Sequence, residues 1–122
     1  MARKILILDD EEGIRDFLGT FFRDKGYTVY AAEEGSVALA IIEKESPHLM
    51  LLDLKMPSMG GMDVFRQAKR LKRDIQVIII TAMDDRRMRR YARRLGVIEY
   101  ILKPFSLSYL NDLIEAKVCF PA

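Results

Sequence analysis

Three runs of four apolar residues, Ile5–Leu8, Leu49–Leu52 and Val77–Ile80, constrain this chain more than any other feature. None of them alternates with polar residues. A strand with one wet face alternates, so an unbroken run this short suits a strand covered on both faces, as in a parallel sheet. Thr28–Ala31 and Tyr100–Leu102 are shorter candidates, predicted nearer the sheet edges.

Helical patterns lie between these runs. Ile14, Phe17, Leu18, Phe21 and Phe22 recur at i, i+3, i+4, i+7 and i+8, predicting an amphipathic helix whose phenylalanines belong to the core, with Gly26 as its stop signal. A second helix runs through Val37–Ile42 and ends near Ser46-Pro47. Val64, Phe65, Ala68 and Leu71 mark a third, and Met88, Tyr91, Ala92 and Leu95 a fourth, stopped by Gly96. Leu107, Leu110, Ile114 and Val118 mark a fifth. Strand and helix thus alternate five times, which predicts an α/β fold with a parallel sheet and right-handed crossovers.

Composition narrows the chemistry. With 122 residues, 50% hydrophobic and 31% charged, the chain reads as one globular domain. The single Cys119 and single His48 exclude a disulfide framework, a cysteine zinc knuckle and a histidine-pair metal site. The longest apolar run, Val37–Ile42, is too short for a membrane span, and no secretory signal is visible. A net charge of +2 does not by itself argue for nucleic acid.

Polar residues fall where such a sheet puts its chemistry. Asp9 and Asp10 follow the first strand, Asp53 the third, Thr81 closes the fourth, and Lys103 follows the fifth. These are carboxyl ends of strands, the edge on which open α/β sheets bind ligands. Taken singly, each has a plainer role: Asp9 or Asp10 as a helix cap, Thr81 in a turn, Lys103 on a wet surface. Together they gather three carboxylates, a hydroxyl and an ammonium. Hard oxygens without cysteine or histidine favour magnesium, with manganese or calcium as substitutes. Such a set suits a phosphoryl group, and a central carboxylate is a candidate nucleophile.

Four segments carry a resemblance: Ile5–Glu11, Leu51–Pro57, Ile80–Ala82 and Leu102–Phe105. In this order and spacing the chain resembles a response-regulator receiver domain, the CheY-like phosphoacceptor of two-component signalling, from about Lys4 to Val118. The resemblance implies a flavodoxin-like (βα)5 fold with strand order 2-1-3-4-5 and helices on both faces. Residues 1–122 then form one receiver domain without an output domain. It implies that Asp53 is phosphorylated and that Asp9, Asp10, Asp53 and the backbone carbonyl of Lys55 hold Mg2+ (or Mn2+). Thr81 and Lys103 would contact the phosphoryl group, with Pro104 following Lys103 through a cis peptide. Tyr100 matches the family's switch aromatic. Lys55 and Met83, two residues beyond Asp53 and Thr81, sit at positions that set phosphoryl lifetime, and their length predicts slow self-dephosphorylation.

The implied partners are a histidine kinase or histidine phosphotransfer protein and a downstream protein target. A phosphorylation-dependent homodimer is a further expectation, while direct nucleic-acid or membrane binding is not expected. The implied location is cytoplasmic. The expected activity is that of a signalling phosphoacceptor rather than an enzyme, limited to self-phosphorylation from small donors and self-dephosphorylation. Alternatives are a phosphorylation-independent interaction module, a haloacid-dehalogenase-type aspartyl-phosphate phosphatase, and a flavin carrier. Some positions depart from the family pattern: Gly60-Gly61 lacks the usual acid, and Val97-Ile98-Glu99 precedes the switch aromatic. The fourth helix carries Arg86, Arg87, Arg89, Arg90, Arg93 and Arg94. They read either as a solvated arc or as a partner surface, centred on Arg86, Arg87, Arg90 and Arg94.

Overall fold

In a computed structural model, which describes residues 2–56 and 59–121, the five runs become strands and the helical patterns become helices. Pro57, the last residue of one of the four segments, lies outside the described residues. The strands are β1 (Lys4–Leu8), β2 (Thr28–Ala32), β3 (Leu49–Leu52), β4 (Gln76–Thr81) and β5 (Glu99–Leu102). The helices are α1 (Glu12–Asp24), α2 (Gly35–Glu45), α3 (Gly61–Leu71), α4 (Arg86–Arg94) and α5 (Leu107–Lys117). All strand pairs are parallel, in the order β2-β1-β3-β4-β5.

The unbroken apolar runs are explained by two cores, one on each side of the sheet. Leu6, Leu8, Met50, Leu52, Val77 and Ile79 point to one side and pack against Ala38 and Ile42 of α2, Val64, Phe65 and Ala68 of α3, and Ala92 of α4. Ile5, Ile7, Leu49, Leu51, Ile78 and Ile80 point to the other, against Leu18 and Phe22 of α1 and Leu110, Leu113 and Ile114 of α5. Alternate side chains of a strand face opposite ways, so a strand with helices on both sides has no place for a polar residue.

Helix ends follow local chemistry. Gly26 and Gly96 sit at φ +94° and +88°, a region in which a side chain is strained. Ser46, at φ 49°, closes α2 in the left-handed conformation. Asp85 caps α4 by accepting from the backbone N–H groups of Arg87 and Met88, at 2.8 and 3.1 Å. Ser106 caps α5 by accepting from Tyr109 N–H.

Two expected core residues are not in the core. Phe17 is 53% exposed. Leu18 and Phe22, four apart, define the buried stripe of α1, with Phe21 half-buried beside it. Phe17 precedes Leu18 by one residue and so is turned about 100° from it. Leu71, the last residue of α3, is also exposed and lines a shallow groove between α2 and α3. Met62 is buried, and Met56 and Met59 pack against the core, so these methionines do fill space around the loop after β3. His48 lies at the amino-terminal end of the sheet, where its Nδ1 accepts from Lys4 N–H at 3.0 Å. Among the described residues, no helix is long and apolar enough to cross a membrane.

Candidate functional site

Strand register brings the polar residues together. Leu8 is paired with Leu52, so the residues that follow them, Asp9 and Asp53, leave adjacent strands side by side. The chain holds both in line: Asp53 N–H donates to Leu8 O at 2.9 Å, and Asp9 N–H to Ala32 O at 3.2 Å. Thr81 is paired with Leu102, and Lys103 N–H donates to Thr81 O at 2.9 Å. All four groups therefore stand at one carboxyl edge. Asp9, Asp53 and Thr81 are the only buried polar or charged side chains among the described residues. A carboxylate pair kept from water this way is expensive unless it has work to do or a cation beside it.

Lys103 is that cation. Its Nζ lies 2.8 Å from Asp9 Oδ2, 3.1 Å from Asp53 Oδ2 and 2.6 Å from Glu11 Oε2. An ammonium has three donors, and here each is matched to a different carboxylate. Burial alone would push the Lys103 ammonium down, but the hydrogen bonds it donates to Asp9, Glu11 and Asp53 outweigh it and hold the pKa well above the ordinary lysine range. Burial pushes the Asp9 carboxyl up, against the opposing pull of Lys103. The second oxygens of the two aspartates are held by the backbone: Asp9 Oδ1 accepts from Glu11 N–H at 2.9 Å and Asp53 Oδ1 from Lys55 N–H at 3.1 Å. The Lys103-Pro104 peptide is cis, as the family resemblance implies.

Asp9 and Asp10 do not cap α1. The cap position is Glu11, which makes no side-chain cap bond, and Asp9 turns into the site instead. Asp10 is exposed at its mouth. Carboxylate oxygens of Asp9, Asp10, Glu11 and Asp53 all lie within 4.8 Å of one another. Four hard oxygen donors with a single lysine are a set that fits magnesium. A cleft of about 260 Å³ opens over them, lined by Asp10, Glu11, Asp53, Lys55, Ala82 and Lys103.

Beside the cleft, Thr81 Oγ1 accepts from Met83 N–H at 3.2 Å, which fixes the start of the loop into α4. Tyr100 is half-buried, and its hydroxyl donates to Met83 O at 2.5 Å. Burial raises the Tyr100 phenol, so it remains a donor at neutral pH. Lys55 is exposed and Met83 half-buried, both next to the groups they follow.

Sequence reasoning missed Glu11. It lies two residues beyond Asp9 in the connecting loop, the same spacing by which Lys55 and Met83 were singled out. It also missed the exception among the arginines. Arg86, Arg87, Arg90, Arg93 and Arg94 are exposed, but Arg89 is half-buried, paired with Asp84 at 2.8 Å and laid over the Tyr100 ring. Arg89 is therefore not part of the expected solvated arc.

A parallel sheet of this order, with an acidic cluster and a lysine at its carboxyl edge, is the arrangement of a receiver-type fold. Comparison with known proteins agrees. The family model "Response regulator receiver domain" matches residues 5–115. The chain is 38% identical over 115 residues to Sporulation initiation phosphotransferase F of Bacillus subtilis (strain 168), covering 94% of this chain and 93% of that protein. A CheY-like receiver domain protein from Methanospirillum hungatei JF-1 superposes with a TM-score of 0.92 at 30% identity, covering 96% and 94% of the two chains. The non-phosphorylated HemR receiver domain from Leptospira biflexa gives 0.88 at 26% identity, covering 98% of each. The chain belongs to the response-regulator receiver domain family and is a signalling domain of the two-component type.

Proposed function

We propose that Asp53 accepts a phosphoryl group from a phosphohistidine of a kinase or phosphotransfer protein, and that this changes what the face of α4, β5 and α5 binds. The observation that carries the reading is the three-way contact of Lys103 with Asp9, Glu11 and Asp53. Such a lysine has a donor ready for an oxygen added at Asp53, because a phosphoryl group there replaces the carboxylate oxygen as its acceptor.

In this mechanism Asp53 Oδ attacks phosphorus in line as the nitrogen–phosphorus bond of the donor breaks. Asp9, Asp10 and Asp53, with the backbone carbonyl of Lys55, would hold magnesium. Bound there, the ion would neutralise the carboxylates and the arriving oxygens. Lys103 donates to the phosphoryl group from the β5 side. Thr81 donates its hydroxyl from the β4 side, exchanging its present bond with Met83 N–H for one to phosphate. That exchange frees the loop after β4, to which Tyr100 is tied through Met83 O. The site and the ring thus share one loop, and phosphorylation shifts the ring between two populations.

The donor reaches Asp53 through the cleft, one wall of which is Lys103. On that side a cavity of about 470 Å³ is lined by Ile14, Phe17, Pro104 and Phe105, with Glu11 and Lys103 on its wall. The exposure of Phe17, which helix packing does not require, fits an apolar contact with the donor protein. The relative named a phosphotransferase supports a place in a multi-step relay rather than at its end.

Intact-mass spectrometry after incubation with acetyl phosphate and magnesium tests the assignment. The expected result is one phosphoryl added to the wild type, none without magnesium, and none in Asp53→Asn. An adduct that persists in Asp53→Asn overturns the acceptor. An unchanged mass with no phosphate released favours a phosphorylation-independent module. Steady release of phosphate from a chromogenic ester favours a phosphatase.

A further inference from the structure

The helix α4 works against its own stability. Arg86–Arg94 contains six arginines and no acid, and Arg86 and Arg87 occupy the first turn. Cations there oppose the helix dipole, whose amino end favours negative charge. Arg86 and Arg90, and Arg90 and Arg94, are like-charged pairs four residues apart, a spacing at which repulsion destabilises a helix. The nearby acids offer no relief from this repulsion. Asp85 is committed to the helix cap and Asp84 to Arg89. Among the described residues, no carboxylate lies within ion-pair distance of Arg86, Arg87, Arg90, Arg93 or Arg94.

The charge is also local. The chain carries +2 overall, and α4 holds six of its twenty basic residues, so the rest of the chain is net −4. The outer face of α5 mixes Asp112, Glu115 and Lys117, which is enough to keep a helix in water. In α4 the Asp85 cap and the last-turn placement of Arg93 and Arg94 offset part of the unfavourable charge. The like-charge repulsion along the exposed face is left uncompensated, which marks a place where a partner can supply acids.

We propose that the exposed arginine face of α4 binds an acidic segment of a partner protein, with carboxylates spaced one helical turn apart. This deepens the reading of the α4–β5–α5 face as the output surface and rests on it for its coupling to Asp53. Arginine forks donate two parallel N–H bonds to a carboxylate, and residues 86, 90, 93 and 94 present such forks along about 12 Å of helix. A nucleic acid fits less well. Its backbone would run past this footprint onto a chain that is otherwise net negative. The helix also offers no stacking platform, since Tyr91 is half-buried and its hydroxyl accepts from Arg66 Nη1 at 2.8 Å. Arg89 links the surface to the switch, since it belongs to α4 and covers Tyr100 at 4.7 Å.

The test uses the full chain and a labelled synthetic helical peptide with glutamates at i, i+4 and i+7, read by fluorescence anisotropy at two salt concentrations. A peptide of equal composition with the glutamates scattered round the helix is the spacing control, and a 20-base-pair duplex is the nucleic-acid control. The expected result is salt-sensitive binding of the first peptide, weaker binding of the other two, and a loss of about tenfold or more in Arg90→Gln/Arg94→Gln. That variant should melt close to the wild type, because the repulsion it removes offsets the favourable placement of Arg94 in the last turn, and this shows that lost binding is not lost folding. Equal binding of the variant, tighter binding of the duplex, or a face closed by homodimerisation would each overturn the proposal. Peptide binding identical in the wild type with and without acetyl phosphate would keep the surface and remove its link to Asp53. A protein that takes up phosphate yet binds the peptide in neither state would remove the surface and keep the phosphoacceptor.

Discussion

The guanidinium of Arg89 lies 4.7 Å from the centre of the Tyr100 ring, while its Nη2 is 2.8 Å from Asp84. The ring is therefore held from two directions, by the arginine above it and by its own hydroxyl bond to Met83 O. A cation over an aromatic face at a partly exposed site contributes about 0.5–1 kcal/mol. Arg89→Ala should then shift the balance of Tyr100 positions by roughly two- to fivefold toward solvent. Fluorine NMR of fluorotyrosine-labelled protein, with the tyrosines assigned by substitution, measures this. A Tyr100 resonance that does not move would show the contact to be incidental.

Asp9 makes stability depend on pH in a definite direction. Burial holds its carboxyl above the ordinary 3.8 in the folded protein without metal. Between that value and the folded one, the native state keeps a proton that the unfolded chain has lost. Stability thus falls as pH rises through this window, and the cost is fully present above it. With chelator at pH 7, Asp9→Asn should melt at a higher temperature than the wild type. The gap should narrow as pH is lowered toward 4 and reverse when magnesium is added to both. An equal or lower melting temperature for Asp9→Asn in chelator would refute the sign.

Gly61 touches the site through backbone alone. A Cβ there would stand 2.5 Å from Leu54 Cα and 2.6 Å from Asp53 O, and neither atom belongs to a movable side chain. Gly61 N–H also donates to Leu54 O at 3.0 Å. Gly61→Ala must displace the segment after β3, at a cost of about 1–3 kcal/mol. Urea titration should show that loss together with slower phosphorylation of Asp53. Gly60→Ala meets only Asp63 Oδ2 at 3.8 Å and serves as the tolerated control.

The lifetime of an Asp53 phosphoryl group should depend on Lys55, which lines the cleft, and on Met83, two residues beyond Thr81. Lys55→Asn with Met83→Glu shortens the first and gives the second a group able to orient water. The expected effect is faster phosphate release by roughly tenfold, equivalent to about 1.4 kcal/mol of barrier. Decay of the phosphorylated mass with time measures it. An unaltered decay rate would mean that these positions do not limit water here.

Much of this protein is legible along the chain, because its strands are covered on both faces and its helices on one. Ile5–Leu8, Leu49–Leu52 and Val77–Ile80 announce central strands without any knowledge of their partners, and Gly26 and Gly96 mark where helices must stop. Asp9, Asp53, Thr81 and Lys103 were likewise visible, since each stands next to the end of such a run. Other features depend on distances between residues far apart in sequence. Lys103 meets Glu11 across 92 positions, and only the β1–β3, β3–β4 and β4–β5 registers together bring them within reach. Periodicity placed Phe17 in the core with Phe21 and Phe22, but the rotation of α1 is set by how Leu18 and Phe22 fit the sheet, and that fit leaves Phe17 outside. Periodicity puts all six arginines of α4 on one broad arc, and only the packing of Tyr100, from a neighbouring strand, under Arg89 takes that one out of it. Local sequence determined which segments are strands and helices and which ends carry charge; packing alone decided which of those charges meet.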